Sequence, residues 1–139
     1  RYGPTEYTNH LCFTLNIDTG QIDAAPSMNR FERTDARILS ISANEPTIRG
    51  ERVPLDEVAF VGKHMTLHSQ WVDPVDSTTR CFTSKSGAFT IREFLDCLVE
   101  FEREDRPKSR WFGGVDCHHV FFDGMRVVEG VGYRILWGS

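Results

Sequence analysis

One segment of this chain carries the full signature of a helix, and it constrains what the remainder can be. Thr90 and Glu93 form a T-x-x-E capping box, in which each side chain satisfies a free N–H of the first turn. Phe89 and Phe94 flank it at hydrophobic-staple spacing. Ile91, Phe94, Leu95, Leu98 and Phe101 then recur at i, i+3, i+4, i+7 and i+10, which predicts an amphipathic helix over about residues 91–104. Arg92, Asp96, Glu100 and Arg103 fall off that stripe, with Arg92 and Asp96 at ion-pair spacing, and Pro107 ends the helix. A helix with one apolar stripe must lay it on another layer, and the chain offers no second helix of this quality.

The other layer reads as strands. Leu11, Phe13, Leu15 and Ile17 alternate with polar neighbours, and Gln21–Asp23 after the Asp18-Thr19-Gly20 turn reads as a returning strand. Residues 37–43 form a second strand, 47–53 a short polar one interrupted at Gly50, and Val58–Val61 a brief apolar one. Met65, Leu67 and Trp71 alternate with His64, Thr66, His68 and Gln70, giving a strand that is polar on one side. Arg80–Thr83 is short and strand-like. Val115–Phe122 reads as a strand closed by an Asp123-Gly124 hairpin turn, with Met125–Val128 returning. Val131, Tyr133, Ile135 and Trp137 alternate to the end. The expectation is one α+β domain over residues 1–139, with an irregular lead-in over 1–10 and a curved, mainly antiparallel sheet packed on one helix.

Composition narrows the function classes. The chain has 139 residues with 16 Lys+Arg against 20 Asp+Glu, a net charge of −4. That mild acidity speaks against nucleic acid as a partner. The apolar runs are far shorter than the ~20 residues a membrane span requires, so no membrane partner is expected. No secretory signal is read, and because the chain starts at Arg1 rather than Met a segment ahead of it is expected to have been removed. Cys12, Cys81, Cys97 and Cys117 lie far apart, with no C-x-x-C pair, and each sits in a hydrophobic run. Free, buried thiols in a cytoplasmic protein are expected, with two disulfides in a secreted one as the alternative.

Chemistry concentrates in Asp116-Cys117-His118-His119, close to Asp123 and Arg126. An imidazole oriented by a carboxylate is the usual apparatus of general acid–base catalysis, which makes His118, His119, Asp116 and Asp123 the candidate catalytic residues. On a strand His118 and His119 would face opposite sides. His64 and His68 have H-x-x-x-H spacing, but on a strand that separation is roughly 13 Å, too wide for one ion. No metal site and no cofactor are therefore expected, with a mixed site of one of these imidazoles and His118 or His119 across neighbouring strands as the alternative. His64, His68 and Gln70 instead share one polar face, and with Trp111 and Arg126 they are the candidate ligand-binding residues. Arg106, Lys108 and Arg110 form a small basic stretch read as a solvated segment. No P-loop, G-x-G-x-x-G, nucleophile elbow or EF-hand loop occurs.

The segment Trp111-Phe112-Gly113-Gly114-Val115-Asp116-Cys117-His118-His119-Val120-Phe121-Phe122-Asp123-Gly124, continuing to Trp137-Gly138-Ser139, resembles a segment of small uncharacterised proteins of mushroom-forming fungi. The resemblance implies a stand-alone fungal-type domain with a shared fold. It implies no activity and assigns no functional residue.

Three functional classes follow. The first is a binding domain whose curved sheet holds a small, partly apolar ligand or a protein partner. The second is a small-molecule enzyme (lyase, isomerase, cyclase or hydrolase) using His118 or His119 with Asp116 or Asp123. The third is a homodimeric structural protein pairing through an exposed edge strand.

Overall fold

The computed structural model describes residues 8–19, 38–69, 78–108, 115, 117–130 and 132–139. Its strands are β1 (Leu15–Thr19), β2 (Ile38–Ala43), β3 (Thr47–Ile48), β4 (Glu51–Arg52), β5 (Val58–Val61), β6 (His64–His68), β7 (Thr79–Thr83), β8 (Ala88–Thr90), β9 (Phe121–Val128) and β10 (Gly132–Gly138). The helix α1 spans Ile91–Asp105, followed by a 3-10 turn over Arg106–Lys108. This is the α+β, antiparallel-rich fold that the sequence pattern predicts. No described helix is long and apolar enough to cross a membrane.

The helix forms for the expected local reasons. Thr90 Oγ1 accepts from the Glu93 N–H at 3.1 Å, and Glu93 Oε1 accepts from the Thr90 N–H at 3.0 Å. Ile91, Phe94, Leu98 and Phe101 are fully buried, so the stripe lies on the sheet as its spacing requires. Arg92, however, pairs with Asp56 in the turn before β5, at 3.6 Å, rather than with Asp96. The residues just ahead of the helix, Ala88–Thr90, are themselves a strand paired with β5. Three residues are too few to show a period, which is why the sequence did not mark them.

The central sheet runs β7-β6-β10-β9. Its outer pairs are antiparallel, whereas β6 and β10 run parallel. The β1 end of the fold continues this sheet: the Leu15 N–H donates to the Val120 carbonyl and the Phe122 N–H to the Phe13 carbonyl. β1 pairs with β2, while residues 21–23 lie outside the described residues. The stretch 47–53 is a hairpin of β3 and β4, not one interrupted strand. Its turn uses Arg49 and Gly50, both at positive φ (54° and 81°), the backbone of a tight two-residue hairpin.

The Asp123-Gly124 pair is the largest departure. It lies inside β9 and does not end a hairpin. Between the partners Met125↔Ile135 and Phe122↔Trp137, β9 holds one residue more than β10, so the pair forms a β-bulge. Gly124 takes φ 104°, and a Cβ there would stand 3.0 Å from Asn9 Oδ1. The Asn9 amide fills the place of a strand: its Oδ1 accepts from the Met125 N–H at 2.8 Å and its Nδ2 donates to the Met125 carbonyl at 3.4 Å. A dipeptide that favours positive φ serves a bulge as well as a turn, and only the remote Asn9 decides between them.

Between sheet and helix lies an aromatic core. Phe13 stacks on Phe122 with ring centres 4.7 Å apart, and Trp137 meets Phe122 edge-on at 5.7 Å. Phe94 brings the helix onto the same ring at 5.8 Å. Such pairs contribute about 0.5–1.5 kcal/mol each beyond the area they bury.

Candidate functional site

The strand β6 positions the first two candidates. Met65 and Leu67 are fully buried in the core that receives α1, so His64, Thr66 and His68 occupy the opposite side of the sheet. Both imidazoles are tied to the neighbouring strand: His68 Nδ1 lies 2.6 Å from Thr79 Oγ1 and His64 Nδ1 3.1 Å from Thr83 Oγ1. The extended backbone over His64–His68 keeps the rings a strand's length apart, so they cannot share an ion.

The register carries this side across the sheet. His68 is opposite Arg134 on β10, and Arg134 is opposite Arg126 on β9. Cross-strand partners face the same way at roughly 5 Å between Cβ atoms, so Thr79, His68, Arg134 and Arg126 form one row over four strands. Leu136 belongs to the same side by alternation from Arg134, and Val128 from Arg126. The structure thus gathers His64, His68 and Arg126, three candidate ligand-binding residues, on one face. The other two, Gln70 and Trp111, lie outside the described residues. Arg134, which the sequence reading passed over, stands at the centre of the row. Its spacing from Tyr133 and Ile135 in the terminal strand was the available signal.

The candidate catalytic residues fall elsewhere. Residues 117–120 are irregular and β9 begins only at Phe121, so the rule that neighbours on a strand face opposite sides does not govern His118 and His119. His118 is exposed and His119 half-buried. Asp123 sits in the bulge, its carboxylate so close to Gly138 that a Cβ on that glycine would lie 2.6 Å from Oδ2. Asp116 lies outside the described residues.

Arg106 overturns the reading of its stretch as solvated, because it is completely buried. Its Nε donates to Glu102 Oε1 at 2.7 Å, a guanidinium nitrogen donates to the His119 carbonyl, and its Cζ lies 5.2 Å from the centre of the Trp137 ring. Glu102 and Asp105 are also buried, and Asp105 Oδ2 accepts from Ser69 Oγ at 2.7 Å. Glu102 and Asp105 stand four residues beyond Leu98 and Phe101 and so continue the apolar stripe with carboxylates. Acids on a core-facing stripe require a buried cation, and that was the legible signal for Arg106. The cluster fastens the end of α1 to the segment that carries the two histidines.

A groove of about 630 Å³ opens between α1 and β7, lined by Arg80, Glu100, Arg103 and Glu104. Its charges answer one another, with Arg80 2.7 Å from Glu100 and 3.6 Å from Glu104. Near it, burial, reinforced by Glu100, Asp96 and Glu93, pushes the Cys97 thiol up to about 12 against the opposing pull of Arg80. A thiol held protonated is a poor nucleophile. None of the four cysteines is in a disulfide, and Cys12, Cys81 and Cys117 are exposed rather than buried as expected. No group of three or more His, Cys, Asp or Glu among the described residues is arranged to hold a metal ion.

No family model matches the chain, and neither a curated protein nor a solved structure matches it.

Proposed function

We propose that the chain is a binding domain, and that the side of the four-stranded sheet turned away from α1 takes a small, partly apolar ligand. The observation that carries this reading is the common face of His64, His68 and Arg126, extended by Arg134 through the strand register. Leu136 and Val128 add apolar surface among these groups, and Phe121, half exposed, stands on the same strand as Arg126. A few oriented polar groups set in apolar surface is the usual make-up of a ligand site. The threonine bonds to both imidazoles supply preorganisation, since rings already held in place lose little freedom on binding.

A fragment screen by amide NMR on ¹⁵N-labelled protein tests the reading. Ligands are expected to shift the amides of His64–His68, Arg126–Val128 and Gly132–Leu136 together. Hits that shift only the groove of Arg80 and Glu104, or a library without hits, would refute it.

A further inference from the structure

Resting on the binding face just described, we infer that its ligand is an anion, a carboxylate or phosphate group on a small apolar body, received by Arg126 and Arg134 with His68 beside them. The ion pairs of the described residues go to Arg52, Arg80, Arg92 and Arg106. Among the described residues, Arg126 and Arg134 have no carboxylate within 4.0 Å, although the register places them directly opposite each other. Like charges opposite one another on neighbouring strands are destabilising, so such a pair calls for a counter-charge.

A second observation is independent of the first. The Nε of Arg134 is enclosed by the fold, and no hydrogen-bond partner for it exists among the described residues. Buried donors are nearly always satisfied, and an orphaned guanidinium N–H marks a place where an acceptor belongs. Guanidinium forks match the two oxygens of a carboxylate or phosphate, which gives two neighbouring arginines a specific anion rather than a general attraction. His68 completes the set. When its Nδ1 accepts the Thr79 hydroxyl proton, Nε2 carries the ring hydrogen and becomes a donor on the same row. Leu136 and Val128, each two residues beyond an arginine of the pair, supply the surface for the apolar body.

The test uses three probes of similar shape, benzoate, phenyl phosphate and neutral benzyl alcohol, titrated into the full chain by amide NMR and calorimetry. Benzoate or phenyl phosphate is expected to bind at millimolar concentration or below and to shift the Arg126 and Arg134 amides, and the tighter of the two identifies the head group. Arg126→Gln and Arg134→Gln should each weaken binding roughly tenfold or more, while Arg134→Lys, which keeps charge but not the fork, recovers only part. Arg126 is exposed, so its variant keeps the test available should Arg134→Gln fail to fold. Benzyl alcohol binding this face as well as the anions do, with both glutamine variants unaffected, would overturn the anion and leave the binding face standing. Absence of binding by every probe, or shifts confined to other parts of the molecule, would overturn both.

Discussion

Replacing Arg106 with methionine should be among the most damaging single changes in this chain. The guanidinium is fully buried and answers Glu102, itself 2% exposed, at 2.7 Å, and it also answers the His119 carbonyl. Removing one partner of a buried ion pair leaves an uncompensated charge, at a cost of about 3–5 kcal/mol. Unfolding entropy scales at about 2.1 cal/mol/K per residue, so over 139 residues each kcal/mol moves the midpoint by roughly 3.4 °C. Arg106→Met should therefore lower Tm by roughly 10–17 °C. The double variant Glu102→Leu/Arg106→Met removes both charges and should recover much of the loss, because a buried pair replaced by apolar groups is often neutral. Calorimetry of the parent, both single variants and the double variant completes the cycle. A loss below about 1 kcal/mol, or a double variant no more stable than Arg106→Met, would refute the reasoning.

Four further outcomes are expected. Gly132→Ala should cost far more than Gly130→Ala in urea titrations, because a Cβ at Gly132 would lie 2.5 Å from the Thr66 carbonyl oxygen whereas at Gly130 nothing lies within 4 Å. Thr90→Ala should remove about 1 kcal/mol by opening the capping box, read from the same titrations. Asn9→Ala should cost about 1–3 kcal/mol and speed amide exchange at Met125, whose N–H it leaves without its partner. At pH 8, iodoacetamide should modify Cys12, Cys81 and Cys117 well before Cys97, as followed by peptide mass mapping. The Cys97 pKa is raised in the folded state from an ordinary 9.0 to about 12, so its contribution to stability is complete below pH 9 and is lost as pH climbs towards 12.

What was legible in the sequence was what is local. The capping box and the stripe of α1 depend on residues within a few turns of one another, and the structure reproduces them. The alternation of β6 is equally local, since burying Met65 and Leu67 obliges His64 and His68 to face the other way. What was not legible depends on remote partners. Asp123-Gly124 resembles a hairpin turn until Asn9 is known to sit across from it. Arg106 is a different case: Glu102 and Asp105, continuing the core-facing stripe, mark its burial within one turn of the helix, and reading the basic stretch as solvated passes over that local sign. Arg126 and Arg134 meet across the local pairing of β9 with β10, but His68 joins their row through a parallel pairing of strands far apart in sequence, which no short-range pattern encodes.

The central claim is that the guanidinium of Arg134 waits for an anion, and its own side-chain resonance reports on that directly. In ¹H–¹⁵N spectra, the Arg134 Nε–H signal, assigned from its loss in Arg134→Lys, should move downfield and exchange more slowly with water as phenyl phosphate or benzoate is added. An Nε–H signal that stays fixed throughout a titration that saturates the protein would contradict the claim.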